Sequence, residues 1–256
     1  MNKIQDEWEK RSKELGDTYE SVMFASFPKT INEMFHQWEL NILSKNFPKK
    51  PQINVLDIGC GYGRLSIPLA KEHRNAKLYG IDIAKGYIDL FNKLLGKRGE
   101  GKVGDLKTLP YKDNTFDYIF VVTVLMYMSD TQIKKLFSEM KRVLKKDGIV
   151  VVIENNATGS NYITGFGLST LIKRVLGKEN KHYVVSRRFT NGEIDKLGQK
   201  DFQLIHKTGC SLLTFLLPFL LVLGKLKLIP HHLRMNMNIS GLPSLYNAYI
   251  LQGRSK

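Results

Sequence analysis

Asn54-Val55-Leu56-Asp57-Ile58-Gly59-Cys60-Gly61-Tyr62-Gly63-Arg64 is the stretch whose reading decides the fold. Val55, Leu56 and Ile58 read as a buried strand, three glycines at alternate positions turn the chain, and the spacing of Leu65, Leu69 and Ala70 opens a helix. Such a loop lets backbone approach a ligand without Cβ clashes, while its N–H groups and the helix N-terminus offer positive potential to an anionic or polar group. The dinucleotide spacing G-x-G-x-x-G fails, because Arg64 stands three after Gly61 and Ser66 three after Gly63. What remains is Asp-x-Gly-x-Gly-x-Gly. Asp57, inside the strand end, would repel a pyrophosphate and suits a cationic group.

Outward from this stretch the same unit repeats. Lys77 to Ile81 reads as a second strand ending at Asp82, a position where an acid accepts hydrogen bonds from ribose hydroxyls in doubly wound folds. Ala84 to Leu95 reads as a helix stopped by Gly96, and a third acid, Asp105, lies in Lys102-Val103-Gly104-Asp105-Leu106 where the next strand should end. Tyr118 to Val124 is a continuous apolar run, as expected of a strand covered on both faces. Ser129-Asp130-Thr131-Gln132 is a capping box for a helix through Leu136, Met140, Val143 and Leu144, with Lys145, Lys146 and Gly148 expected to close it. Ile149 to Ile153 follows as strand five, Phe189 to Glu193 holds a second capping box, and Phe202 to Lys207 reads as a sixth strand. Strands alternating with helices predict a parallel sheet whose ligand lies beyond the strands' carboxyl ends. The loops after Ile58, Ile81, Val103, Val124 and Ile153 therefore face one pocket, and Tyr127 and Glu154 fall there.

Four motifs in order now resemble the class I S-adenosylmethionine-dependent methyltransferases, in particular the small-molecule group described as methyltransferase type 11. They are Val55 to Gly63, Ile81-Asp82-Ile83, Gly104 to Tyr111, and Phe116 to Phe120, within a resemblance running from about Asn54 to Ile153. The resemblance implies an α/β, Rossmann-like, doubly wound and mostly parallel seven-stranded sheet whose last strand, Tyr246 to Gln252, runs antiparallel. It implies S-adenosylmethionine as cofactor and S-adenosylhomocysteine as product. Asp57 with Gly59, Cys60, Gly61 and Gly63 would surround the methionine part, Asp82 with Ile83 the ribose, and Asp105 with Leu106 the adenine; Thr123 completes the expected cofactor set. It also implies that an N-terminal helical segment lids the cofactor.

The expected organisation is a helical lid over 1–50, a cofactor-binding core over 51–154, a lid insertion over 155–188, and the rest of the core over 189–256 with an apolar insertion near 211–229. Within the first segment Ile31, Met34, Phe35, Trp38 and Ile42 form the apolar face of a helix whose polar face carries Asn32, His36 and Glu39. Tyr19, Phe27 and His36 are candidates for the substrate side, set against plain packing of the aromatics and a solvent-facing His36. Tyr127, Glu154, His182, Tyr183, Arg187 and Arg188 are further substrate candidates. The cofactor carries its own reactive methyl, so positioning is the protein's main task and a general base is required only if the acceptor must lose a proton. Tyr127, His36 and His182 are the candidates for that role.

The 256 residues suffice for one generous α/β domain with additions or two small ones. Cys60 and Cys210 have no metal spacing, so no metal site is expected, and two cysteines fit a reduced, cytoplasmic protein; Met1 to Glu7 is no signal peptide. Thirty-nine basic against 24 acidic residues give +15, spread in twos and threes; a solvated surface, an anionic membrane and a nucleic acid all accommodate it. Val122-Thr123-Val124-Leu125 lacks the Asn/Asp-Pro-Pro-Tyr/Phe by which base-amine methyltransferases resemble one another, which speaks against nucleic acid as substrate. Leu212 to Leu223 is the most apolar stretch, too short for a membrane span of about 20 residues. It suits a buried helix, a wall for an apolar substrate, or an interfacial helix giving peripheral membrane contact through 212–229. A small, apolar or lipid-like acceptor is the favoured expectation; an RNA-directed enzyme and a cofactor-binding protein without turnover are the alternatives.

Overall fold

Apolar residues that alternate between two covered faces build the centre of the molecule. In a computed structural model, which describes residues 3–23, 29–157, 186–210 and 246–254, seven strands form one sheet in the order β3-β2-β1-β4-β5-β7-β6. These are β1 (Ile53–Ile58), β2 (Ala76–Asp82), β3 (Gly99–Val103), β4 (Phe116–Val122), β5 (Leu144–Asn155), β6 (Phe202–Cys210) and β7 (Tyr246–Gly253). The first five pair in parallel, whereas β7 runs antiparallel between β5 and β6. The sheet is the Rossmann-like arrangement with an antiparallel last strand.

The helices among the described residues are α1 (Lys3–Leu15), α2 (Tyr19–Val22), α3 (Lys29–Lys45), α4 (Ser66–Glu72), α5 (Lys85–Leu95), α6 (Asp130–Val143) and α7 (Glu193–Gly198). Val55, Leu78, Phe120 and Val151 pack with Met34, Trp38, Leu69 and Phe91 on one face of the sheet. Leu56, Ile119, Val121 and Val152 pack with Leu136, Phe137, Met140 and Ile194 on the other. This two-sided burial explains why β4 reads as an unbroken apolar run: all seven of its residues are buried. Among the described residues no helix is long and apolar enough to cross a membrane.

Several expected boundaries move. β4 ends at Val122, not Val124, because Thr123 takes φ 56° and gives its N–H to the Ile153 carbonyl at 2.8 Å, turning the chain. α6 carries the predicted capping box, with Ser129 and Gln132 reciprocally bonded, but stops at Val143. Leu144 already pairs with Phe116 in the sheet, so Lys145 does not close the helix; it meets the buried Asp117 at 2.7 Å. Lys141 and Arg142 occupy the last helical turn instead. The second capping box forms by half: Glu193 accepts from the Thr190 N–H and hydroxyl at 2.9 and 3.0 Å, while Gly192 at φ 83° sits at the cap position.

The polar face of α3 does not face solvent. Asn32, His36 and Glu39 are all buried, as are Met34, Phe35, Trp38 and Ile42. Phe27, the greater part of the 155–188 insertion with His182 and Tyr183, and the 212–223 apolar stretch lie outside the described residues.

Candidate cofactor and acceptor site

The glycine loop crosses the carboxyl ends of β1 and β2. Gly59 and Cys60 both give their N–H groups to the Ile81 carbonyl, at 2.8 and 3.2 Å. Gly59 and Gly61 sit at φ 72° and 51°, where side chains are strained. Space alone would also demand glycine: Val124 Cγ2 occupies the room a Cβ on Gly59 would need, and a Cβ on Gly61 would meet Val22 Cγ1 at 2.9 Å. The loop is thus pressed from above by α2 and from the side by the turn after β4.

Two buried carboxylates hold it from below. Asp82 accepts from the Gly61 and Ala84 N–H groups, each at 2.9 Å, clamping the loop to the start of α5. Asp57 accepts from the Ser66 hydroxyl at 2.8 Å, at the first turn of α4. Burial pushes Asp57 up to about 7, against the Ser66 hydrogen bond and the Arg64 charge, with Asp82 adding repulsion. Burial likewise raises Asp82, which faces a further acid, Glu9. Carboxylates so placed are short of positive charge, and a cationic ligand would relieve them. The Cys60 thiol in the same loop is free, buried and pushed well up by that burial.

α1 covers the β2 side. Gln5 Nε2 donates to the Ile83 carbonyl at 3.2 Å, and Glu9 accepts from the Gly86 N–H at the same distance. Between them Trp8 lies 6.5 Å from the Tyr87 ring and 5.7 Å, edge-on, from Tyr127. Tyr127 belongs to a single 3₁₀ turn, Leu125–Tyr127, which Glu154 at the end of β5 holds by accepting the Leu125 N–H at 2.6 Å. Burial lifts Glu154 to about 8, although the N–H groups of the turn oppose this.

Arg64 anchors α3. Its Nη1 lies 2.6 Å from Glu39 and 3.0 Å from His36 Nδ1, all three side chains being buried. Burial and then the Arg64 charge lower His36 to about 3, so the ring is neutral and its Nδ1 accepts. Tyr19 packs 5.1 Å from His36. A cleft of about 510 Å³ opens beside this group, bounded by Asp17, Tyr19, Lys29, Tyr62, Arg64 and Lys71.

Other candidates stand elsewhere. Asp105, exposed at the end of β3, is paired with Lys107 at 2.8 Å, and that hydrogen bond holds its carboxyl below the usual range. The neighbouring Leu106 is buried at φ 64°, and Arg142 fixes the following loop by donating to the Leu109 and Tyr111 carbonyls at 2.9 and 2.8 Å. Arg187 spends its guanidinium on Asp130 and Glu193 and stacks 4.8 Å over Phe189; its backbone N–H donates to the Met126 carbonyl at 2.9 Å. Its side chain pins the α6–α7 flank. Among the described residues no group of three or more His, Cys, Asp or Glu could hold a metal ion.

The sequence reading overlooked Trp8 and Arg64. Arg64 is the first cation after the glycines, in the turn that leads into α4, and that position is its signal; Trp8 carries no motif of its own.

Residues 55–148 match the family described as methyltransferase domain. An uncharacterised protein of Methanocaldococcus jannaschii is 30% identical over 57% of this chain and 62% of its own length. A demethylmenaquinone methyltransferase of Lactobacillus johnsonii is 34% identical over 49% of this chain and 55% of its own. The chain therefore spans less than two thirds of the length of these relatives. Among solved structures, geranyl diphosphate C-methyltransferase from Streptomyces coelicolor, in complex with Mg²⁺, geranyl diphosphate and S-adenosyl-L-homocysteine, superposes with a TM-score of 0.59 at 15% identity, covering 88% of this chain and 82% of that one. The PH0226 protein of Pyrococcus horikoshii gives 0.58 at 17% identity over 92% and 98%. At such identities the likeness is one of fold.

Proposed function

We propose that this chain is a class I S-adenosylmethionine-dependent methyltransferase, a reading supported by the methyltransferase-domain match over residues 55–148 and by the seven-stranded sheet, and that it transfers a methyl group to a small, apolar or lipid-like acceptor. The observation that carries the reading is the pair of buried carboxylates, Asp57 and Asp82, hydrogen-bonded to the glycine loop and its helix and short of positive charge. They fit a ligand with a cationic amino-acid end and a ribose. When bound, S-adenosylmethionine supplies an electrophilic methyl on a sulfonium. Asp57 and the loop would hold its methionine end, Asp82 and Ile83 the ribose, and Asp105 with Leu106 the adenine at the open edge beyond β3. Thr123 would lie beside the loop on the β4 side.

The other residues orient and exclude water. Trp8, Tyr87 and Tyr127 form an aromatic roof, which keeps a methyl donor from solvent while an acceptor is aligned. His36 is a poor general base, since its Nδ1 is engaged by Arg64 and its basicity is suppressed. Tyr127 is the remaining candidate among the described residues, and a carbon or sulfur acceptor would ask little of it.

Relatives named demethylmenaquinone methyltransferase and a structural neighbour named for geranyl diphosphate support an apolar acceptor, as does the 212–223 stretch. We place the encounter with such an acceptor at a membrane surface. A second reading, an RNA-directed enzyme, has the +15 charge in its favour. Incubation with methyl-labelled cofactor, demethylated isoprenoid quinols and total RNA separates them: label extracted into organic solvent is expected, whereas label retained on RNA would overturn the acceptor assignment.

A further inference from the structure

Glu154 is fully buried at the end of β5, with only one of its oxygens in use. Oε1 takes the Leu125 N–H at 2.6 Å, at the head of the 3₁₀ turn that follows β4, whereas Oε2 has no hydrogen-bond partner among the described residues. That turn reaches both halves of the site. Its first neighbour, Val124, fills the space over Gly59, and its last residue, Tyr127, meets Trp8 of the lid helix. A second tie comes from Arg187, whose backbone N–H bonds the Met126 carbonyl, and Asn155 secures that segment by donating to the Arg187 carbonyl at 3.1 Å.

We propose that Glu154 is a positioning residue: its buried carboxyl fixes the turn after β4, and through it sets Val124 on the glycine loop and Tyr127 against the lid. The role needs an acceptor oxygen, not a charge. A buried carboxyl pushed up to about 8 is neutral near pH 7, which agrees, and Tyr249 and Asn247, the polar neighbours on β7, bring no positive charge to it. An amide of the same length would keep Oε1 and lose no contact at Oε2. Loss of the side chain would leave the turn's N–H groups unmet in a dry interior.

The inference depends on the methyltransferase reading only for its consequence, so its test needs no acceptor. The chain's two tryptophans, Trp8 and Trp38, give two fluorine resonances in protein labelled with 5-fluorotryptophan, one at the lid contact and one in the core on α3. Glu154→Ala is expected to displace or broaden the Trp8 line and leave the Trp38 line in place; Glu154→Gln is expected to keep both where the wild type has them. A Trp8 line unmoved by Glu154→Ala, or moved as far by Glu154→Gln, overturns the proposal. Should Glu154→Ala unfold and shift both lines, amide exchange at Leu125 decides in folded protein. Slow exchange in wild type and Glu154→Gln supports the clamp, and exchange as fast as exposed loop amides in both overturns it. Titration of the wild type with S-adenosylmethionine, run alongside, reports separately on the reading of the site.

Discussion

Arg64 shows how one side chain can join the glycine loop to the helix that precedes β1. Its guanidinium meets Glu39 and His36 at the floor of the cleft, all three side chains being buried, and a buried pair broken from one side leaves an uncompensated charge. Arg64→Met is expected to cost about 3–5 kcal/mol by urea unfolding, a loss that Glu39→Gln in the same chain should partly restore. Asp57 behaves differently. Its folded pKa, about 7, lies above its ordinary value, so the stability it contributes is present below the unfolded pKa and is lost as pH rises through 7. A cationic ligand prefers the ionised form, and affinity for S-adenosylmethionine is therefore expected to rise between pH 6 and pH 8. In Asp57→Asn, calorimetry should find that rise gone, and the decline of stability over pH 4–7 should flatten. Asp57 and the three glycines were legible because strand, acid and loop are contiguous. The burial of His36 and Glu39 was not, because helical periodicity marks a polar face without saying that an arginine 25 residues beyond Glu39 will meet it.

Elements were legible where local chemistry ends them. The Ser129 capping box and the Gly96 stop stand where the sequence puts them. Ser129→Ala is expected to cost about 1 kcal/mol in thermal or urea unfolding, since it removes the acceptor for the Gln132 N–H. The ends of β4 and α6 shifted because tertiary pairing decided them: Thr123 turns to reach Ile153, and Leu144 leaves the helix to pair with Phe116. Trp8 raises the stakes for α1, an element held to the site by Gln5 and Glu9 contacts to backbone. Trp8→Ala should leave unfolding of the sheet core nearly unchanged while weakening S-adenosylmethionine about tenfold, or ~1.4 kcal/mol. Equal binding with and without the ring would remove α1 from the account of the roof.

At the scale of the molecule, the alternation of strands and helices made the five parallel strands readable, and the family resemblance supplied the antiparallel one. That β7 lies inside the sheet, between β5 and β6, depends on a long-range pairing that no local pattern carries. Helices pack on both faces of the sheet's central strands, so the strands' carboxyl ends are where a ligand can enter. Asp82 is the point at which β2, the glycine loop and the start of α5 meet, with Glu9 of α1 nearby, and its carboxylate tests the central claim most directly. Calorimetric titration of the wild type and Asp82→Ala with S-adenosylmethionine, S-adenosylhomocysteine and NADH should show one-to-one binding of the first two and none of the third. In the variant, binding should be weaker by a factor of about ten or more. Absence of binding in a folded wild-type sample, or equal affinity in the variant, would contradict it.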